Sequence, residues 1–281
     1  MRSMVFITGA TGGLGKAFSV ECARRGWDLF LTDQDRQALD TLASALKRAY
    51  GIRVIVQPCD LTRLESRQAL FQRLDDTPLR FKGLINVAGV DFEGLFRERS
   101  RQQIRGIIRL NIEATLEVTH RIMPAREPMQ PFWIVTVSSL AAFFPIPVKA
   151  TYAASKRFLL NFFLALRDEV EPEGATVTVL CPGGLPTNDD VIEAIEAQGL
   201  VGQLTTQNIG RVAKLTIDSA LQGKAVVVPG AINQIMRWLG SLIPPLALSR
   251  FLGRRWRAAR KKRAALEEGG LPAPVESRGS L

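Results

Sequence analysis

Two observations predict an α/β domain built on a doubly wound parallel sheet. The first is a strand, a glycine turn and a helix in immediate succession: Val5-Phe6-Ile7-Thr8, then Gly9-Ala-Thr-Gly12-Gly13-Leu-Gly15, then a helical pattern from Leu14 to Arg25 that Gly26 stops. The second is the alternation that follows, short apolar runs and amphipathic runs taking turns as far as Gly230. Repeated βα units imply parallel strands, with ligands bound beyond their carboxyl ends. At 281 residues, 46% hydrophobic and 23% charged, the chain has material for one such domain and a sizeable core.

The glycine turn carries the first chemistry. Glycines let the backbone approach a pyrophosphate closely, and the helix behind them offers free N–H groups and the positive end of its dipole. Gly9, Thr11, Gly13, Leu14 and Gly15 are therefore candidate cofactor contacts. Asp28 to Thr32 reads as the second strand and ends at Asp33. A carboxylate there accepts hydrogen bonds from the adenosine ribose hydroxyls of NAD. It would repel the 2′-phosphate of NADP, since like charges ~4 Å apart at an effective dielectric of ~20 oppose each other by about 4 kcal/mol. NAD is the expected nucleotide; NADP is the alternative, because Arg36 is close enough in sequence to swing in.

The remaining elements follow in order. Asp35 to Tyr50 is a helix with Leu39, Leu42 and Leu46 on one face, and Arg53 to Gln57 is a strand. Cys59-Asp60-Leu61 lies at that strand's end, which directs Asp60 toward the adenine amino group. Leu64 to Leu74 is helical, and Gly83-Leu-Ile-Asn86-Val-Ala88-Gly89 is a fourth strand running into a loop. Gln102 to Met123 is helical, Thr176 to Cys181 is a strand ended by Pro182-Gly183, and a helix from Thr206 to Gln222 with a strand from Ala225 to Val228 completes the sheet.

The second chemistry is Tyr152-Ala-Ala-Ser-Lys156, which leads into a helical run from Phe158 to Val170. A Tyr and a Lys at this spacing share one helix face, one turn apart. A phenol with a pKa near ~10 is a poor base at neutrality, and a neighbouring ammonium is expected to lower that pKa.

Taken together, these pieces closely resemble the short-chain dehydrogenase/reductase family, one-domain type. The match is carried by Thr8-Gly9-x-x-x-Gly13-x-Gly15, Asp60-Leu61, Asn86-x-Ala88-Gly89, Asn111, Ser139, Tyr152-x-x-x-Lys156 and Pro182-Gly183, in family order over roughly residues 4–230. The resemblance implies a Rossmann-like fold and an NAD(P)-dependent oxidoreductase that interconverts a secondary alcohol and a ketone. It implies that Tyr152 moves the proton and that Ser139, rather than Ser138, hydrogen-bonds the substrate oxygen. Lys156 would bind the nicotinamide ribose and lower the Tyr152 pKa, and Asn111 would hold a water linking Lys156 to solvent. Asn86, Ala88 and Gly89 would line the cofactor; Pro182, Gly183, Leu185 and Thr187 would hold its nicotinamide end. Val87 stands where the family usually has a second Asn, and Gly9-x-x-Gly12-x-x-Gly15 also fits the spacing of sugar-nucleotide epimerases. The family usually pairs through the helices containing Asn111 and Tyr152, which implies a homodimer or homotetramer.

The substrate side looks apolar. Phe143-Phe144-Pro145-Ile146-Pro147 lies between Ser139 and Tyr152, which points to a hydrophobic, lipid-like small-molecule substrate, and residues 184–205 resemble the family's mobile lid around a helix from Asp189 to Ala197. Past Gly230 the pattern changes. Ile235, Trp238, Leu239, Leu242 and Ile243 form a helical apolar stripe before Pro244-Pro245, and a second stripe from Leu246 to Trp256 merges into a basic run. The expected arrangement is a helix packed over the substrate cleft with a solvated charged end; the alternative is contact with a membrane surface through residues 235–263. The division is thus residues 1–230 for the nucleotide-binding domain, 231–266 for a helical extension, and 267–281 for a disordered tail.

Composition excludes other classes. Residues 250–263 account for eight of the ten net positive charges, so the basicity belongs to the tail and no nucleic-acid partner is expected. Three dispersed cysteines, Cys22, Cys59 and Cys181, read as buried thiols of a reducing compartment, and no metal site is expected. The single histidine, His120, is read as structural. No targeting segment is visible and no run reaches the ~20 apolar residues of a spanning helix, so the expected location is the cytoplasm, peripheral at a membrane in the alternative reading. A non-catalytic nucleotide sensor or membrane-surface scaffold on the same fold is the competing function; an intact Ser139, Tyr152, Lys156 and Asn111 set argues against it.

Overall fold

The computed structural model describes residues 3–186 and 207–254. Seven parallel strands form one sheet in the order β3-β2-β1-β4-β5-β6-β7. They are β1 (Met4–Thr8), β2 (Asp28–Asp33), β3 (Val54–Pro58), β4 (Phe81–Asn86), β5 (Phe132–Val137), β6 (Ala175–Leu180) and β7 (Val226–Val227). The doubly wound sheet expected from the sequence is present. β5 goes beyond the strands foreseen there: Phe-Trp-Ile-Val-Thr-Val is buried at every residue, with no alternation to mark it as a strand.

Helices cover both faces, which is why β1 and β5 are buried at every residue and almost wholly apolar. On one face lie α1 (Gly13–Arg24), α2 (Arg36–Tyr50) and, late in the chain, α7 (Ile209–Leu221), around Phe18, Leu39, Leu46 and Ile217. On the other lie α3 (Leu64–Asp75), a long helix from Arg101 to Ile122, and α6 (Ala150–Val170), around Leu70, Val118, Leu160 and Phe163. Leu39 and Leu46 of α2 are buried as the helical spacing predicts, whereas Leu42 is only partly so and Ala43 takes the inner position. Asp35 caps α2 by accepting from the Ala38 N–H at 2.9 Å, and Gly51 ends it in the left-handed region.

The long helix departs from expectation in its middle. Regular turns at α4 (Arg101–Ile107) and α5 (Thr115–Ile122) are joined by a π-helical segment, Ile108–Ala114. A π turn inserts an extra residue and re-aims the side chains on it, and such turns recur at functional sites; Asn111 sits inside this one. The helix is also held from below. Arg67 of α3 is fully buried, with its guanidinium between Glu113 and Glu117 and its Nη1 donating to the Leu61 carbonyl at 2.8 Å.

Helix α6 starts earlier than the run from Phe158, so Tyr152 and Lys156 both lie within its first turns. After β7, α8 (Ala231–Leu242) packs against the turn at residues 140–143, and a further helical stretch covers residues 245–254. The helix foreseen at Asp189–Ala197, the basic residues from Arg255 onward and the tail 267–281 lie outside the described residues. Among the described residues, no helix is long and apolar enough to cross a membrane.

Candidate active site

The carboxyl ends of β1, β2, β4, β5 and β6 converge on one edge of the sheet, and the predicted residues gather there. Gly9 has φ +63°, and a Cβ on it would lie 2.8 Å from the Ala88 backbone. A Cβ on Gly15 would meet the Gly9 carbonyl oxygen at 2.0 Å. Both positions exclude a side chain, and the backbone between them is left bare at the start of α1, as a pyrophosphate cradle requires. A Cβ on Gly12 would only touch, at 3.5 Å. Thr8 Oγ1 accepts from the Val87 and Ala88 N–H groups at 3.1 and 3.2 Å, tying the ends of β1 and β4 together.

Asp33 closes this cradle: Oδ2 accepts from the Thr11 N–H at 2.9 Å and Oδ1 from the Gln34 N–H at 2.7 Å. Arg36, the cation able to admit a 2′-phosphate, pairs instead with Asp40 at 2.9 Å on the exposed side of α2. Asp60 Oδ1 accepts from the N–H and hydroxyl of Thr62 at 2.9 and 2.6 Å, which turns the chain after β3 into α3. The carboxamide of Asn86 is buried in the structure: its Nδ2 donates to Thr119 and Thr136 hydroxyls at 2.9 and 3.3 Å. That side chain joins β4 to β5 and α5.

The candidate proton-transfer groups gather beyond the ends of β4 and β5, with Tyr152 and Lys156 on α6. The Ser139 hydroxyl is close enough to the Tyr152 phenol to favour its ionised form, and Ser139 Oγ accepts from the Ala141 N–H at 3.1 Å. Ser138, the rejected candidate, is committed elsewhere, donating to the Lys156 carbonyl at 2.7 Å. Lys156 is buried; its Nζ donates to the Val137 carbonyl at 2.9 Å and lies 5.7 Å from the Tyr152 ring centre. Asn111, brought in by the π turn, grips the backbone of Val90 through its carboxamide, at 2.8 and 3.0 Å, and also donates to Ser155 at 3.1 Å. A Cβ on Gly89 would sit 3.1 Å from Asn111 Oδ1 and 3.2 Å from Lys156 Nζ, so glycine keeps a small space open between them. Pro182 accepts from the Leu140 N–H at 2.8 Å, and Leu185 is buried beside Gly183 and Gly184; Thr187 lies outside the described residues.

Burial pushes the Tyr152 phenol up to about 12, the Asp91 carboxylate adds to this, and the Ser139 hydrogen bond and the Lys149 ammonium oppose it. Burial pulls the Lys156 ammonium down to about 8, and its Nζ donates to the Val137 carbonyl. Asp91 and Lys149 are site residues that the sequence did not single out. Lys149, the N-cap residue of α6, pairs with Asp91 at 2.6 Å and Glu93 at 3.2 Å, and its Nζ lies 5.9 Å from the Tyr152 ring centre. Burial alone would lower the Lys149 pKa, but the two carboxylates outweigh it and the net shift is upward. The one signal for this cluster was charge beside an apolar loop; what joins it is a contact across 58 residues of chain.

On the substrate side, Phe143 and Phe144 are half-buried against the core, and α8 backs them. Arg237 lies 5.1 Å from the Phe143 ring centre, and Gly240 abuts Phe144 so closely that a Cβ would fall 2.2 Å from its ring. Val148, between this wall and Lys149, holds φ +64°, a left-handed conformation unusual for a β-branched residue.

A glycine cradle beneath an acid-ended β2, beside a Ser–Tyr–Lys–Asn cluster, defines a dinucleotide-dependent oxidoreductase. The sequence profile of the short chain dehydrogenase family matches residues 3–193. The chain therefore belongs to that family, and it is an NAD(P)-dependent oxidoreductase acting on CH–OH groups rather than a nucleotide sensor. It is similar to a very-long-chain 3-oxoacyl-CoA reductase of Phaeosphaeria nodorum, 30% identical over 254 residues that cover 89% of this chain and 72% of that one. It is also similar to 11-beta-hydroxysteroid dehydrogenase-like 4A of Arabidopsis thaliana, 27% identical, covering 88% and 83%. Among solved structures, a short-chain dehydrogenase from Sphingobium yanoikuyae in complex with NADPH is 25% identical with a TM-score of 0.72, covering 98% of this chain and 99% of that one.

Proposed function

We propose that this protein interconverts a secondary alcohol and a ketone on a hydrophobic, lipid-like substrate, with NAD as its nucleotide. The observation that carries the reading is the clustering of Ser139, Tyr152 and Lys156, with the Lys156 Nζ 5.7 Å from the Tyr152 ring centre and Phe143 and Phe144 adjacent in the chain. The bound nicotinamide supplies or accepts the hydride. The chain's own groups handle the oxygen: Ser139 donates a hydrogen bond to it, and Tyr152 gives it a proton in reduction and takes one in oxidation. A phenol held at about 12 keeps its proton at neutral pH. Lys156 would hold the nicotinamide ribose, and a water in the space beside Gly89 would let Asn111 and Lys156 return the proton from solvent. Gly9, Thr11, Gly13, Leu14 and Gly15 would take the pyrophosphate, Asp33 the ribose, Asp60 and Leu61 the adenine, and Ala88, Gly89, Pro182, Gly183, Leu185 and Thr187 the nicotinamide half.

The acid at Asp33 and the engagement of Arg36 with Asp40 support NAD. The relatives support the substrate class, since their names include a very-long-chain 3-oxoacyl-CoA reductase and a hydroxysteroid dehydrogenase-like protein. Exposed Phe158 on α6 and Ile108 at the π turn support pairing of two copies through these helices. The test is turnover of long-chain 3-oxoacyl thioesters and steroid ketones against small polar ketones, with wild type and Tyr152→Phe. The variant is expected to lose roughly 10³-fold in kcat while binding NADH as before. Retained turnover would refute the proton-transfer role, and a preference for small polar ketones would refute the substrate class.

A further inference from the structure

We infer that the outer face of the C-terminal helices docks on an anionic membrane surface. Helix α8 is apolar on two opposite sides. On its inner side Asn233 is buried and donates to the Pro229 carbonyl, Met236 packs on the core, and Gly240 abuts Phe144. Ile235, Leu239 and Leu242 project from the opposite side of the same helix, 55%, 48% and 63% exposed. Leu246 and Phe251 extend this apolar surface into residues 245–254, at 65% and 64% exposed. A contiguous exposed apolar surface marks an interaction site.

Charge selects the occupant. Arg250 and Arg254 are exposed on the helical stretch that carries Leu246 and Phe251, and the sequence continues with Arg255, Arg257, Arg260, Lys261, Lys262 and Arg263. No acidic residue interrupts the segment from 243 to 263. Apolar side chains beside a purely basic run match an anionic lipid surface, where the former enter the acyl boundary and the latter meet the headgroups. A second copy of this chain would bring the same positive charge to the contact and repel it. The docking face is separate from the nucleotide cradle, and the inference does not depend on which alcohol is oxidised.

The test is co-sedimentation of the full chain with phosphatidylcholine vesicles, with and without phosphatidylserine. The expected result is binding to the phosphatidylserine vesicles roughly tenfold or more tighter than to the neutral ones, lost in high salt as the Debye length contracts. The double variant Leu239→Ser/Leu242→Ser, at exposed positions, is expected to lose vesicle binding by a similar factor and to keep NADH binding. Binding that ignores phosphatidylserine and salt, or that survives in the double variant, would overturn the inference. So would a wild-type dimer that the double variant converts to monomer, since the face would then belong to a second copy.

Discussion

The glycine turn after β1 and helix α8 near the other end of the described chain use side chains in opposite ways. At the turn, function requires their absence: Gly9 and Gly15 bring backbone against backbone, and the space that remains is for a ligand. At α8, apolar side chains stand on both sides of one helix, and the core takes up only one side. The difference shows what sequence pattern conveys. Glycines spaced between a strand and a helix have few physical uses and announce a phosphate site, whereas an apolar stripe announces a helix without saying which side of it lies inward.

That comparison can be broken most directly at Gly15. Gly15→Ala places a methyl 2.0 Å from the Gly9 carbonyl oxygen, and the turn must shift. The expected result is a loss of NADH affinity of roughly 100-fold or more by calorimetry, about 3 kcal/mol. Gly26→Ala, at the other end of the same helix, meets nothing within 4 Å and has only its φ of +71° to contend with. It should cost about 1 kcal/mol of stability, with nucleotide affinity unchanged. Equal effects at the two glycines would mean the turn is merely tight.

The buried ammonium of Lys156 sharpens the contrast by pH. Its folded pKa of about 8 lies below the unfolded value of 10.5, so between those values the unfolded chain binds the extra proton and stability rises with pH. Denaturant titrations at pH 7.5 and 10 should show wild type gaining up to about 3 kcal/mol relative to Lys156→Met. Tyr152 acts in the other direction. Its folded pKa of about 12 is raised above the unfolded value of 10.0, so its stabilisation is complete below pH 10 and is lost as the pH climbs toward 12. A flat difference between pH 7.5 and 10 would show that Lys156 is charged in the folded protein.

A smaller effect is expected at Asp33. Asp33→Asn removes the charge facing a 2′-phosphate while keeping an acceptor for the Thr11 N–H, and NADPH binding should tighten by about tenfold relative to NADH, roughly 1.4 kcal/mol. No change in the NADH-to-NADPH ratio would remove Asp33 from nucleotide choice. The smallest effect is at α8 itself: Leu239→Ser should alter folding stability by no more than about 0.5 kcal/mol, as an exposed substitution does. A loss near the 2–5 kcal/mol of a buried leucine would place that face in the protein's own core.

Much of this protein was legible in its sequence. The alternation of strands and helices, the glycine cradle and the Tyr152–Lys156 pair rest on local spacing, and Asn111 and Ser139 on the family resemblance; the 3.6-residue period places Tyr152 and Lys156 on one helix face before any contact is known. Tertiary structure decided the rest. The π turn that aims Asn111 is held in place by the Arg67 guanidinium from α3. The Asn86 Nδ2 is taken up by hydroxyls from β5 and α5. The Tyr152 pKa is set by burial and by Asp91, whose partner Lys149 lies 58 residues further along the chain. Which side of α8 faces water depends on where Phe143 and Phe144 stand. Each of these is a property of groups distant in sequence and close in space, because burial, charge and packing act through distance and dielectric, which local periodicity does not encode.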